Sequence, residues 1–242
     1  MDGMQASAAS ADIKPHDATI PGPGFVGAIT GRVGDATRSE AVKRTTDIIL
    51  SGLLLTALAP LMLGVALTIR LSSGPQVLIR HRRVGRGGVL FDCLKFRTMV
   101  RDGDRVLGEF LERDAAAREE WRVRRKLSRD PRVTWIGNVL RRFSLDELPQ
   151  LLNVLRGDMS LVGPRPVVAA ELKEHYQGEA ESLYCRVRPG LTGLWQISGR
   201  SDVTYRERVR LDCEYVRQGS FLLDLGIICR TPWVVLRARG AC

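Results

Sequence analysis

The chain has 242 residues, with 37 Lys plus Arg against 27 Asp plus Glu and a formal net charge of +10. That length allows one ordinary domain with extensions, and the charge calls for an anionic partner: nucleic acid, phospholipid headgroups or a phosphorylated substrate. Cys93, Cys185, Cys213, Cys229 and Cys242 form no C-x-x-C pair, which argues against a disulfide framework, and His16, His81 and His175 lack zinc-type spacing. Mg2+, which needs only oxygen ligands, stays open.

Residues 1–39 are rich in Ala, Gly, Ser, Asp and Pro, and Pro21-Gly22-Pro23-Gly24 suits neither helix nor strand. A weakly ordered tail is expected up to about residue 40, without the basic start and apolar run of a signal peptide. From Ile48 to Ile69 there is no charge. A run of about 22 apolar residues is long enough to span a bilayer as a helix. Arg38, Lys43 and Arg44 precede it, and Arg70, Arg80, Arg82, Arg83 and Arg86 follow it. A crossing helix leaves one flank depleted of positive charge, and here neither is. Pro60 removes a backbone hydrogen bond in the middle of the run. The expected element over residues 41–72 is therefore a re-entrant hairpin, helix-break-helix, turning at Ala59-Pro60. Ser51, Thr56 or protein packing would satisfy the freed backbone groups. A kinked span and a buried core helix are the alternatives.

Residues 73–242 read as a small membrane-associated α/β domain. Val77–Ile79 and Val89–Phe96 predict short strands around a Gly85–Gly88 turn. Arg101–Lys126 predicts one exposed helix, and Ser128-Arg129-Asp130-Pro131 a break. Thr134–Arg142 and Leu145–Arg156 predict two helices, followed by a Gly157–Pro166 loop. Ala169–Tyr184 predicts a helix, Pro189–Ser198 turns, and Tyr205–Gln218 another helix. The apolar stretch over residues 221–237, interrupted at Pro232, suits an interfacial helix pair with Trp233, Arg237 and Arg239 at headgroup level. A core helix fits it nearly as well. The fold class is mostly helical α+β.

The chemistry concentrates at Asp146 and Glu147. Ser144 followed by Glu147 matches a capping box, and Leu145, Leu148, Leu151, Leu152 and Leu155 make a helical stripe, so an ordinary helix start explains most of this string. Three neighbours point elsewhere. Pro149 falls where its missing N–H matters, making the helix start irregular. Arg141 and Arg142 sit just upstream, unfavourable near a helix start unless an anion lies there. Arg165, between Pro164 and Pro166, presents a preorganised guanidinium suited to phosphate. A structural salt bridge is the alternative role for it.

These residues resemble the bacterial sugar transferases, the small monotopic phosphoglycosyl transferases. The resemblance covers Lys43 to about Arg237. It rests on Lys43-Arg44-Thr45-Thr46-Asp47, Lys95-Phe96-Arg97-Thr98-Met99, Ser144 to Gln150, Gly157 to Pro166, Arg188-Pro189-Gly190-Leu191-Thr192-Gly193 and Asp212-Cys213-Glu214-Tyr215-Val216, in that order. The family has Ser before the membrane proline, where this chain has Ala59. The resemblance implies transfer of a sugar 1-phosphate from a UDP-sugar to undecaprenyl phosphate, with release of UMP, at the cytoplasmic face of the bacterial inner membrane. It implies Asp146 as nucleophile, Glu147 as Mg2+ ligand, Arg141 near the phosphate, and a re-entrant membrane helix. Arg97, Arg165, Arg188, Arg200 and Asp212 are candidate supporting residues. Membrane phospholipid is the expected surroundings, and the oligomeric state stays open, with a homodimer as one candidate assembly. The competing functions are a membrane-tethered nucleic-acid binder, which lacks any nucleic-acid motif, and a catalytically dead scaffold, against which the intact acidic pair speaks.

Overall fold

The computed structural model describes residues 36–124, 127–199 and 203–236. Most of the expected tail, together with Arg200, Arg237 and Arg239, lies outside the described residues. The first element, α1 (Ala36–Ser73), is a single helix that runs through Pro60. The expected division into two helices at Ala59-Pro60 is not seen. One proline forfeits one backbone bond, and the Leu and Ala around it favour helix strongly enough to continue on both sides. The hydroxyls expected to cover the freed groups do otherwise. Thr56 Oγ1 donates to Gly52 O at 3.0 Å, and buried Ser51 Oγ has no partner among the described residues. Within α1, Glu40–Ser73 is long and apolar enough to cross a membrane, with a mean hydropathy of 2.3 in its most apolar window. Leu53, Leu61, Leu63 and Leu67 on it are exposed.

Two stretches of α1 fasten it to the rest of the chain. Near its start, Lys43 Nζ donates to Asp224 Oδ2 at 2.6 Å, Val162 O at 3.0 Å and Tyr215 Oη at 3.2 Å. Asp47 accepts from Leu161 N at 3.0 Å. Arg44 donates to Val154 O and Leu155 O at 2.6 and 2.8 Å. Those carbonyls close the last turn of α5 (Gln150–Arg156), where a helix leaves acceptors unpaired and favours positive charge. Further along, Val65 and Ile69 are buried in a cluster with Phe96, Ile136 and Leu140.

Strands β1 (Leu78–Val84) and β2 (Leu90–Phe96) form an antiparallel hairpin, with Ile79 opposite Lys95, His81 opposite Cys93 and Arg83 opposite Phe91. Opposed residues share one face of the ribbon, so these six point the same way. The other edge of β2 is covered by Asn153, whose amide accepts from Leu94 N at 3.0 Å and donates to Asp92 O at 2.8 Å. The charged stretch after β2 is two helices rather than one, α2 (Gly103–Arg113) and α3 (Ala115–Arg124). They part at Asp114, whose carboxylate accepts from Ala117 N at 2.9 Å, a local bond that favours a new helix start.

Helix α4 (Trp135–Arg142) begins at Thr134, whose hydroxyl accepts from Gly137 N at 3.0 Å. A 3-10 turn over Leu145–Glu147 separates α4 from α5. Then follow β3 (Ser160–Val162), α6 (Ala169–His175), α7 (Glu179–Arg186), β4 (Gly190–Thr192), α8 (Leu194–Ile197), α9 (Tyr205–Gln218) and α10 (Phe221–Leu236). The single helix expected over Ala169–Tyr184 is two, because Gly178 turns the chain at φ 62°. Helix α10 runs through Pro232 as one element rather than the expected pair. It buries Leu223 and Ile227 in the main core and exposes Phe221, Leu222, Leu225 and Trp233. The remaining sequence-based surprise is that β3 and β4 pair in parallel, Ser160 with Gly190 and Val162 with Thr192. Loop and turn composition concealed both strands.

Close backbone approach makes some glycines obligatory. A Cβ on Gly137 would overlap Thr98 O, whereas one on Gly108, inside α2, would meet nothing within 4 Å. Gly137→Ala is expected to destabilise the protein by about 3 kcal/mol or more and lower its unfolding midpoint by several degrees. Gly108→Ala is expected to stabilise it by roughly 0.5–1 kcal/mol. Thermal unfolding of both variants in the same detergent checks the contrast.

Candidate active site

The acidic pair sits on the 3-10 turn between α4 and α5, and its local structure is not a capping box. Ser144 adopts a left-handed conformation at φ 54°, and its side chain makes no capping bond. Pro149 precedes α5 at φ −60°, where a missing N–H costs nothing. Arg141 and Arg142 close the last turn of α4, so positive charge there suits that helix's C-terminus and needs no anion for its explanation. The irregular junction anticipated from Pro149 is present, and it turns Asp146 inward: Asp146 is only 8% exposed.

Asp146 and Glu147 lie on the wall of a cavity of about 820 Å3, together with Arg97, Arg141 and Arg165. Residues on the inward face of the β1–β2 ribbon, among them His81, Arg83 and Lys95, line the same cavity. Lys95 Nζ donates to Glu147 Oε1 at 2.6 Å and lies 3.6 Å from Asp146 Oδ2. Burial works against the Lys95 charge, but Glu147 and then Asp146 outweigh it, and its pKa ends up raised. Burial also dominates at Asp146. It pushes the carboxyl above the usual aspartate range, and the neighbouring Glu147 adds to that, despite the opposing charges of Lys95 and Arg141. The two shifts are consistent because the lysine pairs chiefly with Glu147. Asp146, a full ångström farther away, receives too little to offset its burial. Arg141 Nε is steadied by Thr98 Oγ1 at 3.0 Å.

Arg165 is held by its backbone on both sides. Gly163 N donates to Thr192 O at 2.9 Å, and Gly190 N donates to Pro164 O at 2.8 Å. Two residues beyond Arg165, Val167 N donates to Tyr184 Oη at 3.2 Å, and Val84 N donates to Val167 O at 2.9 Å. Its guanidinium lies over the Trp195 ring, 5.2 Å from the centroid, and makes no ion pair among the described residues. The structural salt bridge considered for Arg165 is therefore absent there.

Three other candidates have different surroundings. Arg97 lines the cavity, but its guanidinium donates to Ser73 O at 2.9 Å and Gln76 Oε1 at 2.6 Å, tying the end of α1 to β2. Arg188 is not brought to this cavity. Its Nε donates to Gly157 O at 2.8 Å, and its Nη1 lies 3.8 Å from Glu40. Asp212 is 2% exposed and stands behind Arg165 rather than on the cavity wall. It accepts from Tyr176 Oη at 2.6 Å, and the nearby Arg165 backbone N–H favours its charged form. Arg200 lies outside the described residues. Lys95 and Gln150 stand in the motif strings without a role of their own, and Arg208 and Trp195 stand in none of them, yet all four lie on the cavity wall. Lys95 was accessible in principle, since in an alternating strand it shares the face of Cys93 and Arg97.

The mostly helical domain joins a helix long and apolar enough to cross a membrane to one cavity lined by paired carboxylates and several arginines. A profile of the bacterial sugar transferases matches residues 38–238, and the chain belongs to that family. It is 55% identical over 199 residues to the exopolysaccharide production protein ExoY of Sinorhizobium fredii, covering 82% of this chain and 87% of that one. It is 48% identical over 203 residues to the undecaprenyl-phosphate galactose phosphotransferase of Salmonella typhimurium, covering 84% of this chain and 42% of that one. With the UDP-glucose:undecaprenyl-phosphate glucose-1-phosphate transferase of Escherichia coli it shares 39% identity over 200 residues, 80% of this chain and 40% of the other.

Burial pushes the pKa of Asp212 up to about 7 against the supporting bonds of Tyr176 and Arg165. A carboxyl with a raised folded pKa contributes stability that is complete below its unfolded value and is lost as pH rises through the folded one. Wild-type protein is therefore expected to lose thermal stability between about pH 4 and pH 7 relative to Asp212→Asn. Melting curves of the two proteins across that range measure the difference.

Proposed function

We propose that the protein transfers a sugar 1-phosphate from a UDP-sugar to undecaprenyl phosphate, releasing UMP and leaving undecaprenyl-diphosphate-sugar. This step begins the assembly of an exopolysaccharide or other surface glycan. The observation that carries the reading is the single cavity in which buried Asp146 and its neighbour Glu147 face Lys95, Arg141 and Arg165. The named activities of the Salmonella and Escherichia relatives support it, and between them they use both galactose and glucose. A hexose 1-phosphate is accordingly the transferred group.

In this reading an Asp146 carboxylate oxygen attacks the phosphorus that bears the sugar. The bond from that phosphorus to the nucleotide's bridging oxygen breaks, and UMP leaves with the electron pair. A phosphate oxygen of undecaprenyl phosphate then attacks the same phosphorus, and the bond to Asp146 breaks. Covalent capture divides one displacement into two. The raised Asp146 pKa means that the attacking carboxylate depends on nearby positive charge to stay ionised. Arg141 and Lys95 supply it, and they also offset repulsion between Asp146 and the donor diphosphate.

The residues present suit Mg2+, which usually takes one or two protein carboxylates and completes its shell with phosphate oxygens and water. Glu147 is the assigned ligand, with Asp146 and the side-chain carbonyl of Gln150 on the same wall. When bound, the ion neutralises charge on the diphosphate.

The membrane arrangement belongs to the same proposal. Helix α1 enters the inner membrane from the cytoplasmic side and returns to it, bending at Pro60 without interruption of the helix. Support comes from the basic residues at both flanks and from the two packing sites on either side of Pro60, at Lys43–Asp47 and at Val65 and Ile69. Exposed Trp135, Val139 and Phe143 at the surface of α4, and Phe221, Leu222 and Trp233 on α10, face phospholipid in this arrangement.

Asp146→Asn is expected to abolish UMP release from a UDP-hexose and undecaprenyl phosphate, a fall of at least about 1,000-fold that leaves the unfolding midpoint nearly unchanged. Full activity in that variant rules out Asp146 as the nucleophile. Single cysteines placed in the tail and just after residue 75, in a chain stripped of its native cysteines, are both expected to react with an impermeant thiol reagent only from the cytoplasmic side. Labelling from opposite sides would establish a span.

A further inference from the structure

Most buried polar atoms without a partner gather around one end of the cavity. Among the described residues they are Trp195 Nε1, Gln196 Oε1, Tyr205 Oη, Arg208 Nε and Asp212 Oδ1, with only Ser51 Oγ elsewhere. Buried polar groups are otherwise paired almost without exception, and a cluster of unpaired ones is expensive unless something polar meets it. Three of the five are donors. Trp195, Gln196 and Arg208 also line the cavity.

Two guanidiniums converge there. Arg208 lies over the Trp195 ring at 4.5 Å from its centroid and over the Tyr205 ring at 5.0 Å, and Arg165 lies over Trp195 at 5.2 Å. Neither makes a salt bridge among the described residues, unlike Arg132 with Asp130 or Arg210 with Glu207 and Glu214. Asp212 lies behind them, engaged by Tyr176 and by the Arg165 backbone. Asp212 acts electrostatically on both guanidiniums from behind, but neither forms an ion pair among the described residues, so an anion on the cavity side would offset the repulsion between them.

We infer that Arg208 and Arg165, seated on Trp195, form a subsite for a phosphate monoester, used first by the departing nucleoside monophosphate and then by the entering lipid phosphate. The inference rests on the proposed two-step transfer. Displacement at phosphorus runs in line, so the group that leaves and the group that later attacks both stand opposite the Asp146–phosphorus bond. Both carry a phosphate, and one pair of guanidiniums can hold either in turn. Arg165 is within electrostatic reach of Lys95, which joins this subsite to the acidic pair. Arg208 is then a binding residue, and Asp212 and Tyr176 are positioning residues behind it.

The test is equilibrium binding in full-length protein carrying Asp146→Asn, which prevents turnover. UMP, uridine and farnesyl phosphate are titrated in detergent with and without Arg208→Gln. The substitution is expected to weaken UMP and farnesyl phosphate by at least about tenfold each and to leave uridine within about twofold, as loss of a charge-assisted bond to phosphate dictates. The two phosphates are expected to compete. Unchanged UMP affinity would overturn the subsite, as would a parallel loss of uridine, which marks a collapsed cavity. Loss of UMP with farnesyl phosphate unaffected would overturn its shared use. Arg208→Lys, which keeps charge but not the planar fork, is expected to recover only part of the affinity, and its full failure to do so alongside a lowered melting midpoint would assign Arg208 to structure instead. The binding measurements need no reaction, so a wild-type protein that releases no UMP from UDP-hexoses would refute the proposed transfer while leaving the subsite open to measurement.

Discussion

The parallel contact between β3 and β4 constrains everything around the cavity. A Cβ on Gly163 would lie 2.5 Å from Arg188 O and 2.8 Å from Gly190 N, and one on Gly190 or Gly193 would overlap the backbone of Gly163. Only glycine lets these segments approach so closely. Once they meet, Pro164 and Thr192 accept the bonds that fix the chain leading into Arg165. The guanidinium is therefore aimed by backbone hydrogen bonds and two proline rings rather than by an opposing carboxylate. That leaves its charge available to a ligand. Trp195 follows two residues after Gly193, so the surface on which both arginines rest is set by the same contact.

Charge in the cavity is arranged around one lysine. Lys95 is shared unequally between two carboxylates, with Glu147 taking the short bond and Asp146 the longer approach. The unequal sharing gives adjacent residues different characters. Glu147 holds the lysine, while burial pushes the Asp146 carboxyl above the usual aspartate range. An approaching anion would push it higher, and the charges of Lys95 and Arg141 pull it down. Asp212 extends the pattern outside the cavity, as a buried carboxyl whose proton affinity is set by desolvation against one tyrosine and one backbone amide.

Much of this was readable from residue order, though not always for the reason first given. The strands expected at Val77–Ile79 and Val89–Phe96, the first of which runs on to Val84, the helix beginning near Thr134 and the helix over Tyr205–Gln218 follow from alternation, turn chemistry and periodicity, which are local. Asp146 was identified amid a capping-box pattern that the structure does not form. Ser144 instead takes a left-handed turn, which composition does not announce. The charged stretch of residues 101–126 and the stretch of residues 169–184 each look like one helix, because Asp114 and Gly178 are single residues in otherwise helical patterns. What remained hidden is non-local: the pairing of β3 with β4, the assignment of Arg97 to the end of α1, and the gathering of Arg208 with Arg165. The glycines of Gly163 and Gly190 to Gly193 were the visible trace of the first. Their spacing gives no hint that they face each other.

The bonds from Arg44 into the last turn of α5 have a practical consequence. The helix whose first residue, Gln150, borders the cavity has its far end closed by a residue of α1. Lys43 does likewise for Asp224 and Tyr215. The segment is thus a structural wedge, not a detachable tether. Cutting it away to obtain a soluble catalytic fragment would uncap α5, strand a carboxylate in the interior and open the floor beneath Phe96 and Leu140. Purification strategies for this enzyme are bound by that: the long apolar helix has to be carried through extraction, because the folded state of the remainder is built around it.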